Sequence, residues 1–334
     1  MRPCQVVSSF VATSGRVQPL KKRLLITGAS GFIGSHCLRL LRERDYDLLA
    51  VSRRPRLRRV ARIRWIQADL LDRAQLLGLF FRYRPTHLLH IAWNVSQRNY
   101  WTSRENERWL LAGIQLMEAF AKSGGERLVM AGTCAEYDWS QGLCSELTTP
   151  RRPNSLYGLS KNALQEQLYA YSIQTGLSSA WGRIFYVFGP RESPHRIIPS
   201  VILSLLMKKA VSCTEGNQVR DFLYVEDVAS ALVHLLASDA QGPVNIGSGF
   251  PISLREILTR VGKKLASENL IRFGALPTPL YEPPKILADV GRLINEVGWR
   301  PRYSLDAGLD KSIQSWSYRM AEVSDGREAM VSGL

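Results

Sequence analysis

"RLLITGASGFIGSHCLRLL", residues 23–41, places three glycines between an apolar segment typical of a strand and a segment typical of a helix. Gly28, Gly31 and Gly34 have the spacing G-x-x-G-x-x-G. In such a strand–turn–helix unit, Gly28 permits the tight turn, Gly31 lets the backbone approach a phosphate, and Gly34 allows close helix–strand packing. Amides at the start of the helix would then face a pyrophosphate. The pattern therefore favours a dinucleotide site over a bare turn.

Short apolar runs alternate with helical segments through the first half of the chain. Strands are predicted in RLLITG, DLLAVS, IRWIQADL, THLLHIAW, RLVMAGT and SSAWGRIFYVFG, and helices over 32–44, 72–82, 104–122 and 157–175. This βαβ rhythm predicts an α/β fold with a Rossmann-type doubly wound parallel sheet and helices on both faces.

The rhythm changes near residue 190, where Pro-containing segments, short helices and isolated strands such as GPVNIG follow. These features predict a smaller C-terminal α/β lobe against the carboxyl edge of the sheet. We expect a loose leader over 1–20, an NAD(P)-binding Rossmann domain over 21–190, a substrate lobe over 191–320 with some return to the sheet, and a frayed tail over 321–334.

Composition narrows the class of protein. The 334 residues are 45% hydrophobic and 22% charged, values ordinary for a soluble globular protein, and no apolar run approaches the ~20 residues of a membrane span. The apolar patch within the first twenty residues is short and precedes no clear cleavage site, which favours a leader over a secretory signal. The five cysteines have neither CxxC nor metal-ligand spacing, so we expect reduced thiols, no metal and a cytoplasmic location.

The formal net charge is +15, and much of it comes from RRPRLRRVARIR, residues 53–64. Such a segment suits either a nucleic-acid patch or a small polyanionic ligand, whose local concentration a positive potential raises. The segment has no interleaved aromatic residues and lies inside the regular fold pattern. We therefore expect no nucleic-acid partner and no membrane partner.

The end of the second predicted strand, AVSRRP, indicates which dinucleotide binds. NAD sites usually have Asp or Glu there for the ribose hydroxyls, whereas here Ser52 precedes Arg53 and Arg54. Guanidinium groups bind a 2′-phosphate that a carboxylate would repel, so we expect NADP(H) in preference to NAD(H). A solvated loop is the alternative. Asp69, at the next strand end, is placed to accept a hydrogen bond from the adenine amino group or to cap helix 72–82.

YGLSK places Tyr157 and Lys161 four residues apart, on one face of a predicted helix. A phenol has a pKa of about 10, and a neighbouring ammonium group stabilises its phenolate. In a reduction the tyrosine would donate a proton to a carbonyl oxygen, and Lys161 would offset the remaining charge. Thr133 closes the strand RLVMAGT at the carboxyl edge, where its hydroxyl can donate to the same oxygen.

Seven segments together resemble the extended short-chain dehydrogenase/reductase family, of the NAD-dependent epimerase/dehydratase type that acts on nucleotide sugars. They are TGASGFIG, HLLHIAW, YGLSK, FGP at 188–190, RDFLYVEDVASAL at 220–232, NIGSG at 245–249 and EVGWRP at 296–301, and the resemblance covers residues 23–310. The resemblance implies that Thr133, Tyr157 and Lys161 form the catalytic triad and that the C-terminal lobe binds a nucleotide sugar.

The resemblance also implies roles for other residues. Arg220 matches the arginine that pairs with the substrate diphosphate, although a surface ion pair is the alternative. Ala92 and Phe185 match positions that line the nicotinamide. The cofactor-binding residues implied are Gly28, Ser30, Gly31, Phe32, Ile33, Gly34, Ser52, Arg53, Arg54, Asp69, Leu70, Ala92, Tyr157, Lys161 and Phe185. The substrate-binding residues implied are Trp93, Thr133, Cys134, Tyr186 and Arg220.

The chain departs from the family pattern near the substrate. Tyr186 stands where family members often have Asn, and the loop WNVSQRNYWTSREN, residues 93–106, is unusually aromatic. Trp93, Tyr100 and Trp101 would stack on a hexose or base, or would pack under a lid. Both the identity and the pose of the substrate stay open at these positions.

The residues after Thr133 indicate which reaction is expected. Dehydratases resembling this chain have Asp-Glu there, whereas Cys134 and Ala135 stand here, and Glu136 is expected to be structural. The hypothesis that we favour is NADPH-dependent reduction of the 4-keto group of an NDP-6-deoxy-4-keto-hexose. The alternatives are an NAD(P)-dependent nucleotide-sugar epimerase and a non-catalytic NADP-binding sensor or scaffold.

We also expect a homodimer through helices 104–122 and 157–175. The candidate packing residues are Leu110, Leu111, Ile114, Met117, Leu164, Leu168 and Tyr171, although burial against the sheet also explains an apolar residue at each.

Overall fold

Strands and helices alternate along the first half of the chain, in a computed structural model that describes residues 21–54, 61–95 and 99–324. The strands are β1 (Arg23–Thr27), β2 (Asp47–Ser52), β3 (Ile63–Gln67), β4 (His87–His90), β5 (Arg127–Thr133), β6 (Leu143–Cys144), β7 (Ser178–Ile184), β8 (Tyr186–Phe188), β9 (Val211–Ser212), β10 (Val219–Tyr224), β11 (Gly242–Ile246), β12 (Pro251–Ser253), β13 (Ile271–Arg272) and β14 (Lys285–Ala288). The helices are α1 (Phe32–Leu41), α2 (Arg73–Tyr83), α3 (Glu105–Lys122), α4 (Leu156–Thr175), α5 (Ile197–Leu206), α6 (Val225–Ala237), α7 (Leu254–Lys264), α8 (Gly291–Asn295) and α9 (Leu305–Ser324).

Seven parallel strands form the main sheet, in the order β11-β7-β5-β4-β1-β2-β3. Alternate residues of each strand face opposite sides, so Leu24 and Ile26 join one core cluster whereas Leu25 joins the other. Helices α1 and α6 cover the first face, and α2, α3 and α4 cover the second. The predicted doubly wound parallel sheet is therefore confirmed.

The smaller lobe is built on a mixed sheet in which β8, β12 and β14 pair with β10, and β6 pairs with β14. Its core is formed with α5, α7 and α9. This lobe lies beyond the carboxyl edge of the main sheet, because β7 and β8 are separated only by Phe185. At that residue the chain passes from the main sheet to the smaller one.

Three sequence expectations change in the structure. SSAWGRIFYVFG is two strands in different sheets instead of one, and GPVNIG is β11, an edge strand of the main sheet, instead of an isolated strand of the smaller lobe. The expected frayed tail over 321–334 is wrong for residues 321–324, which continue α9. The leader over 1–20, residues 55–60 of the arginine-rich segment and residues 325–334 of the tail lie outside the described residues.

The described ranges hold no helix of the length and apolar character needed to cross a membrane. Within the same ranges, no group of three or more His, Cys, Asp or Glu side chains is arranged to hold a metal ion. The four described cysteines, Cys37, Cys134, Cys144 and Cys213, are buried free thiols, and Cys4 lies outside the described residues.

Candidate active site

The glycine turn between β1 and α1 is packed too tightly for side chains. Gly28 has φ +67°, and a Cβ atom there would lie 2.8 Å from the backbone N of Ala92. A Cβ atom on Gly34 would lie 2.0 Å from the carbonyl O of Gly28. Gly31 is the N-cap of α1 and offers no side-chain acceptor to the first amides of the helix. The turn therefore fits a bound anionic group such as a pyrophosphate.

The end of β2 presents the two arginines expected at the adenosine ribose. Ser52 is buried and its Oγ accepts a hydrogen bond from the backbone N of Arg54 at 3.4 Å. The carbonyl O of Arg53 accepts from Gln67 Nε2 at 3.3 Å, and both arginine side chains are exposed. The two guanidinium groups at this edge are available to a phosphate.

Asp69 does not cap α2, so that alternative from the sequence is wrong. The N-cap is Asp72, whose Oδ1 accepts from the backbone N of Ala74 at 2.9 Å and of Gln75 at 3.2 Å. Asp69 Oδ1 instead accepts from the backbone N of Leu71 at 3.0 Å, and Leu70 between them is buried. The adenine contact stays a prediction for Asp69.

Thr133 and Tyr157 meet at the carboxyl end of β5. The Oγ1 of Thr133 accepts from the backbone N of Ala135 at 3.2 Å, and the side chain of Thr133 lies beside the phenol of Tyr157. A hydroxyl has one proton and two lone pairs, so Thr133 keeps a proton to donate. Burial raises the pKa of Tyr157, and the Thr133 contact opposes that rise. The phenol is thus neutral and able to donate a proton.

Lys161 lies one turn beyond Tyr157 on α4, and its side chain is almost fully buried. Its Nζ donates to the carbonyl O of Ala131 at 2.8 Å and lies 3.8 Å from the ring centroid of Trp93. Burial lowers the pKa of Lys161 to about 7, and Glu136 opposes that shift. The ammonium is held by a carbonyl dipole and an aromatic face.

Three aromatic side chains surround the phenol of Tyr157. The ring centroids of Trp93, Tyr100 and Trp101 lie 6.3, 5.1 and 5.6 Å from that of Tyr157. The carbonyl O of Trp101 also accepts from the backbone N of Tyr157 at 3.0 Å. These rings pack around the phenol of Tyr157, and their stacking on a hexose or base stays a prediction. Residues 96–98 of this loop lie outside the described residues.

Arg220 lies on β10 with its side chain buried, and the other member of its ion pair, Glu282, is 31% exposed. Its Nη2 pairs with Glu282, its Nη1 donates to the carbonyl O of Val219 at 2.8 Å, and its guanidinium lies 5.5 Å from the ring centroid of Tyr186. The pKa of Tyr186 is raised by burial. Sequence reasoning missed Glu282, because EPPK carries no pattern of its own.

The remaining predicted residues lie around these groups. Cys134 is buried beside Phe185, and burial raises the pKa of its thiol. Ala92 approaches the glycine turn, and Phe32 and Ile33 begin α1 beneath it, with Ser30 in the turn itself. Sequence reasoning also missed Arg196, whose guanidinium lies 5.1 Å from the Tyr100 ring centroid.

Comparison with known proteins agrees with this arrangement. Residues 24–247 match the model of the NAD dependent epimerase/dehydratase family. UDP-glucuronic acid decarboxylase 1 of Danio rerio is 28% identical over 315 residues, covering 89% of this chain and 73% of that protein. dTDP-glucose 4,6-dehydratase of Neisseria gonorrhoeae is 29% identical over 330 residues, covering 88% of this chain and 95% of that protein.

A solved structure extends the likeness to three dimensions. The complex of Thermus thermophilus UDP-glucose 4-epimerase with NAD superposes with a TM-score of 0.79 at 28% identity, covering 88% of this chain and 99% of that one. The family match spans the glycine turn, β5 and α4, where the three triad residues lie. The chain belongs to the NAD dependent epimerase/dehydratase family, of the extended short-chain dehydrogenase/reductase type.

Proposed function

We propose that this protein reduces the 4-keto group of an NDP-6-deoxy-4-keto-hexose with NADPH, giving a deoxysugar nucleotide. The observation that carries the proposal is the placing of Thr133 at the end of β5 beside Tyr157 and Lys161, which are buried one turn apart on α4, with a thiol and a methyl group next in the chain at Cys134 and Ala135. Family dehydratases have two carboxylates at those positions for proton abstraction and hydroxyl expulsion. Hydride transfer to a carbonyl requires only the triad.

The cofactor supplies or accepts the hydride when it is bound. The residues proposed to hold it are the glycine turn at its pyrophosphate, Asp69 at adenine, and Arg53 with Arg54 at a 2′-phosphate. Exposure of both arginine side chains at the end of β2 supports NADP(H) over NAD(H). NAD(H) is the cofactor named for the solved epimerase described above.

The triad moves one proton. The hydroxyl of Thr133 donates to the carbonyl oxygen of the sugar, and Tyr157 gives up its phenolic proton to the same oxygen as negative charge develops there. Lys161, one helical turn away, stabilises the phenolate that remains. The surrounding aromatic rings exclude water, which strengthens both interactions.

The nucleotide diphosphate is proposed to bind at Arg220. Burial of an arginine beside a single carboxylate, Glu282, supports this role, because a diphosphate can replace that carboxylate as counterion. Tyr186 lies against the guanidinium and would face the sugar from the same side. Relatives named for UDP-glucuronic acid and dTDP-glucose support a nucleotide sugar as substrate.

Epimerisation is the second candidate. It uses the same triad and returns the hydride to the sugar, and it is favoured by the likeness to UDP-glucose 4-epimerase bound to NAD. A screen of TDP-, GDP-, CDP- and UDP-linked 4-keto-6-deoxyhexoses with NADPH, run beside the corresponding 4-hydroxy nucleotide sugars with NAD(P), separates the two. Stoichiometric loss of NADPH absorbance supports reduction. Interconversion of sugar epimers without NADPH loss supports epimerisation.

We also propose a homodimer through α3 and α4. Of the candidate packing residues, Met117, Leu164 and Leu168 are buried in the core against the sheet, which corrects their assignment to a dimer contact. The outward apolar residues are instead Leu111, Leu159, Tyr169 and Ile173, all at least half exposed. Light scattering should give twice the chain mass of 37.6 kDa, and the mass of one chain would exclude the dimer.

A further inference from the structure

Glu136 is fully buried directly below the triad and contacts only N–H donors. Its Oε1 accepts from the backbone N of Thr133 at 2.8 Å and from Trp181 Nε1 at 2.9 Å. Its Oε2 accepts from Arg183 Nε at 2.6 Å. Every contact requires an acceptor, so Glu136 is built into the site as a carboxylate and holds no proton to transfer.

Arg183 completes this network from β7. Its Nη1 donates to the hydroxyl of Tyr137 at 2.9 Å, and that hydroxyl donates to Asn245 Oδ1 at 2.8 Å. Arg183 and Glu136 are both at most 1% exposed. A buried charge pair of this kind is retained at a desolvation cost, and hydrophobic residues of similar volume often stabilise a fold as well or better.

The network reaches the triad at two points. Both parts of Thr133 are fixed, because Glu136 accepts from its backbone N while its side-chain Oγ1 accepts from Ala135 N. A Cβ atom on Gly132 would lie 2.0 Å from Trp181 Nε1. The indole of Trp181 can therefore reach Glu136 only because residue 132 is glycine. Residues of β5 and β7 therefore hold the Glu136 carboxylate next to the backbone of Thr133, the residue whose hydroxyl must be oriented.

The second point is electrostatic. Burial disfavours the charge on Lys161, and Glu136 is the group that favours it. The other groups around the ammonium are the carbonyl of Ala131, the ring of Trp93, the imidazole of His90 on β4 and the ring of Trp181. The Trp181 ring centroid lies 5.8 Å from the ammonium, and its Nε1 donates to Glu136, so this indole lies against both groups. Burial lowers the pKa of His90 to about 3, so that imidazole is neutral and contributes no opposing charge at neutral pH.

We infer that Glu136 is a positioning residue that, anchored by Arg183, orients the hydroxyl of Thr133 and keeps Lys161 in its ammonium form. The inference rests on the proposed function, because it assigns Thr133 and Lys161 to the reaction. It assigns the buried carboxylate no proton-transfer step, and it explains why the buried charge pair is retained despite its desolvation cost.

Glu136→Gln tests the inference because it removes the charge and keeps the shape. The ε-amine of Lys161 is titrated by NMR in protein labelled with 15N-lysine, with Lys161→Arg used to assign its resonance. We expect the midpoint to fall by about one pH unit or more. The kcat at pH 7 should fall about tenfold, with the high-pH limb of its profile moved to lower pH and KM within about twofold.

Two further variants separate positioning from folding. Asp227→Asn removes another buried carboxylate that accepts two backbone N–H bonds, from Arg302 and Tyr303, and should lower Tm without moving the Lys161 midpoint. Glu136→Leu with Arg183→Met removes both charges at once and is expected to fold, because an apolar pair replaces an ion pair. This double variant should also show a lowered midpoint, by less than Glu136→Gln does, because it removes the positive charge of Arg183 as well.

An unchanged Lys161 midpoint in Glu136→Gln and in the double variant overturns the inference, since both would then affect only folding. The NMR titration needs no turnover. A lowered midpoint in a protein that turns over no nucleotide sugar would support the role of Glu136 and overturn the proposed reaction instead.

Discussion

Lys161 is the side chain at which the needs of catalysis and of folding conflict. The proposed reaction requires its positive charge, yet the ammonium is buried between Trp93 and the carbonyl of Ala131. Burial lowers its pKa from 10.5 to about 7. The lowered pKa means that the folded protein holds the lysine proton less tightly than the unfolded chain does. A protonated Lys161 therefore lowers the free energy of unfolding, that is, it destabilises the folded protein.

Lys161→Met should make the protein more stable while abolishing turnover. The cost of the charge is fully present below pH 7 and disappears above pH 10.5, where the lysine is neutral in both states. We expect a gain of up to about 4 kcal/mol at pH 6 that shrinks towards pH 10. Denaturant titration at both pH values measures it. Lys122→Met, at an exposed site, is the control, and equal gains at pH 6 and pH 10 would contradict the account.

The sequence predicted the positions of some of these side chains and missed the contacts of others. The spacing in YGLSK was sufficient to place Tyr157 and Lys161 on one helix face, because helical geometry is local. It gave no indication that Trp93 covers the ammonium or that Glu282 pairs with Arg220. Those contacts join distant segments through loops, and loops have no periodic pattern from which a contact can be derived.

The turn from β1 into α1 is the local structure on which cofactor binding depends most. A methyl group at Gly34 would lie 2.0 Å from the carbonyl O of Gly28, which is backbone and cannot turn aside. Gly78 in α2 is a contrasting case, since a Cβ atom there would have no heavy atom within 4 Å. The two glycines thus differ in the space around them, so replacement by alanine should have opposite effects on stability at the two positions.

Gly34→Ala should lower the free energy of unfolding by about 3 kcal/mol and weaken NADPH binding at least tenfold, because α1 must move away from the turn. Gly78→Ala should instead raise it by about 0.5 to 1 kcal/mol through the better helix propensity of alanine, with binding unchanged. Thermal denaturation and NADPH fluorescence titration provide both values. Comparable stability of the two variants would show that the turn is not as tight as described.

Helix boundaries were predicted within one to three residues, because short-range chemistry determines them. Asp72 and Ser155 begin α2 and α4 by accepting hydrogen bonds from backbone amides of the first turn. Strand partners were less predictable. The division at Phe185 and the return of β11 to the main sheet depend on pairing with β10 and β7, which lie elsewhere in the sequence.

The protein as a whole is basic, and the end of β2 carries exposed positive charge. Arg53 and Arg54 follow β2, and the net charge is +15. This charge raises the local concentration of anionic ligands in general, so it does not by itself select one dinucleotide. In the proposed assignment, selection depends on the guanidinium groups of Arg53 and Arg54 contacting a 2′-phosphate.

Replacing both arginines should change cofactor preference. In Arg53→Glu/Arg54→Glu, kcat/KM for NADPH is expected to fall about 10- to 100-fold while the value for NADH changes less than about threefold. Arg64→Glu/Arg82→Glu makes the same change in net charge and is the control, since both guanidinium groups lie over the Tyr83 ring, at 5.2 and 5.5 Å. Equal losses with both cofactors, or an NADH preference in the unaltered protein, would contradict the NADP(H) assignment.

The proposed reduction is tested most directly by following the hydride itself. The protein is incubated with the best substrate from the nucleotide-sugar screen and with NADPH in which both hydrogens at C4 of the nicotinamide ring are replaced by deuterium. We predict that each product molecule gains one deuterium at C4, and that Tyr157→Phe lowers this rate by about a thousandfold or more with NADPH binding intact. No deuterium at C4 of the sugar and no NADPH oxidised, with epimers of the corresponding 4-hydroxy nucleotide sugar interconverted in the presence of oxidised cofactor, would contradict the proposal and identify an epimerase.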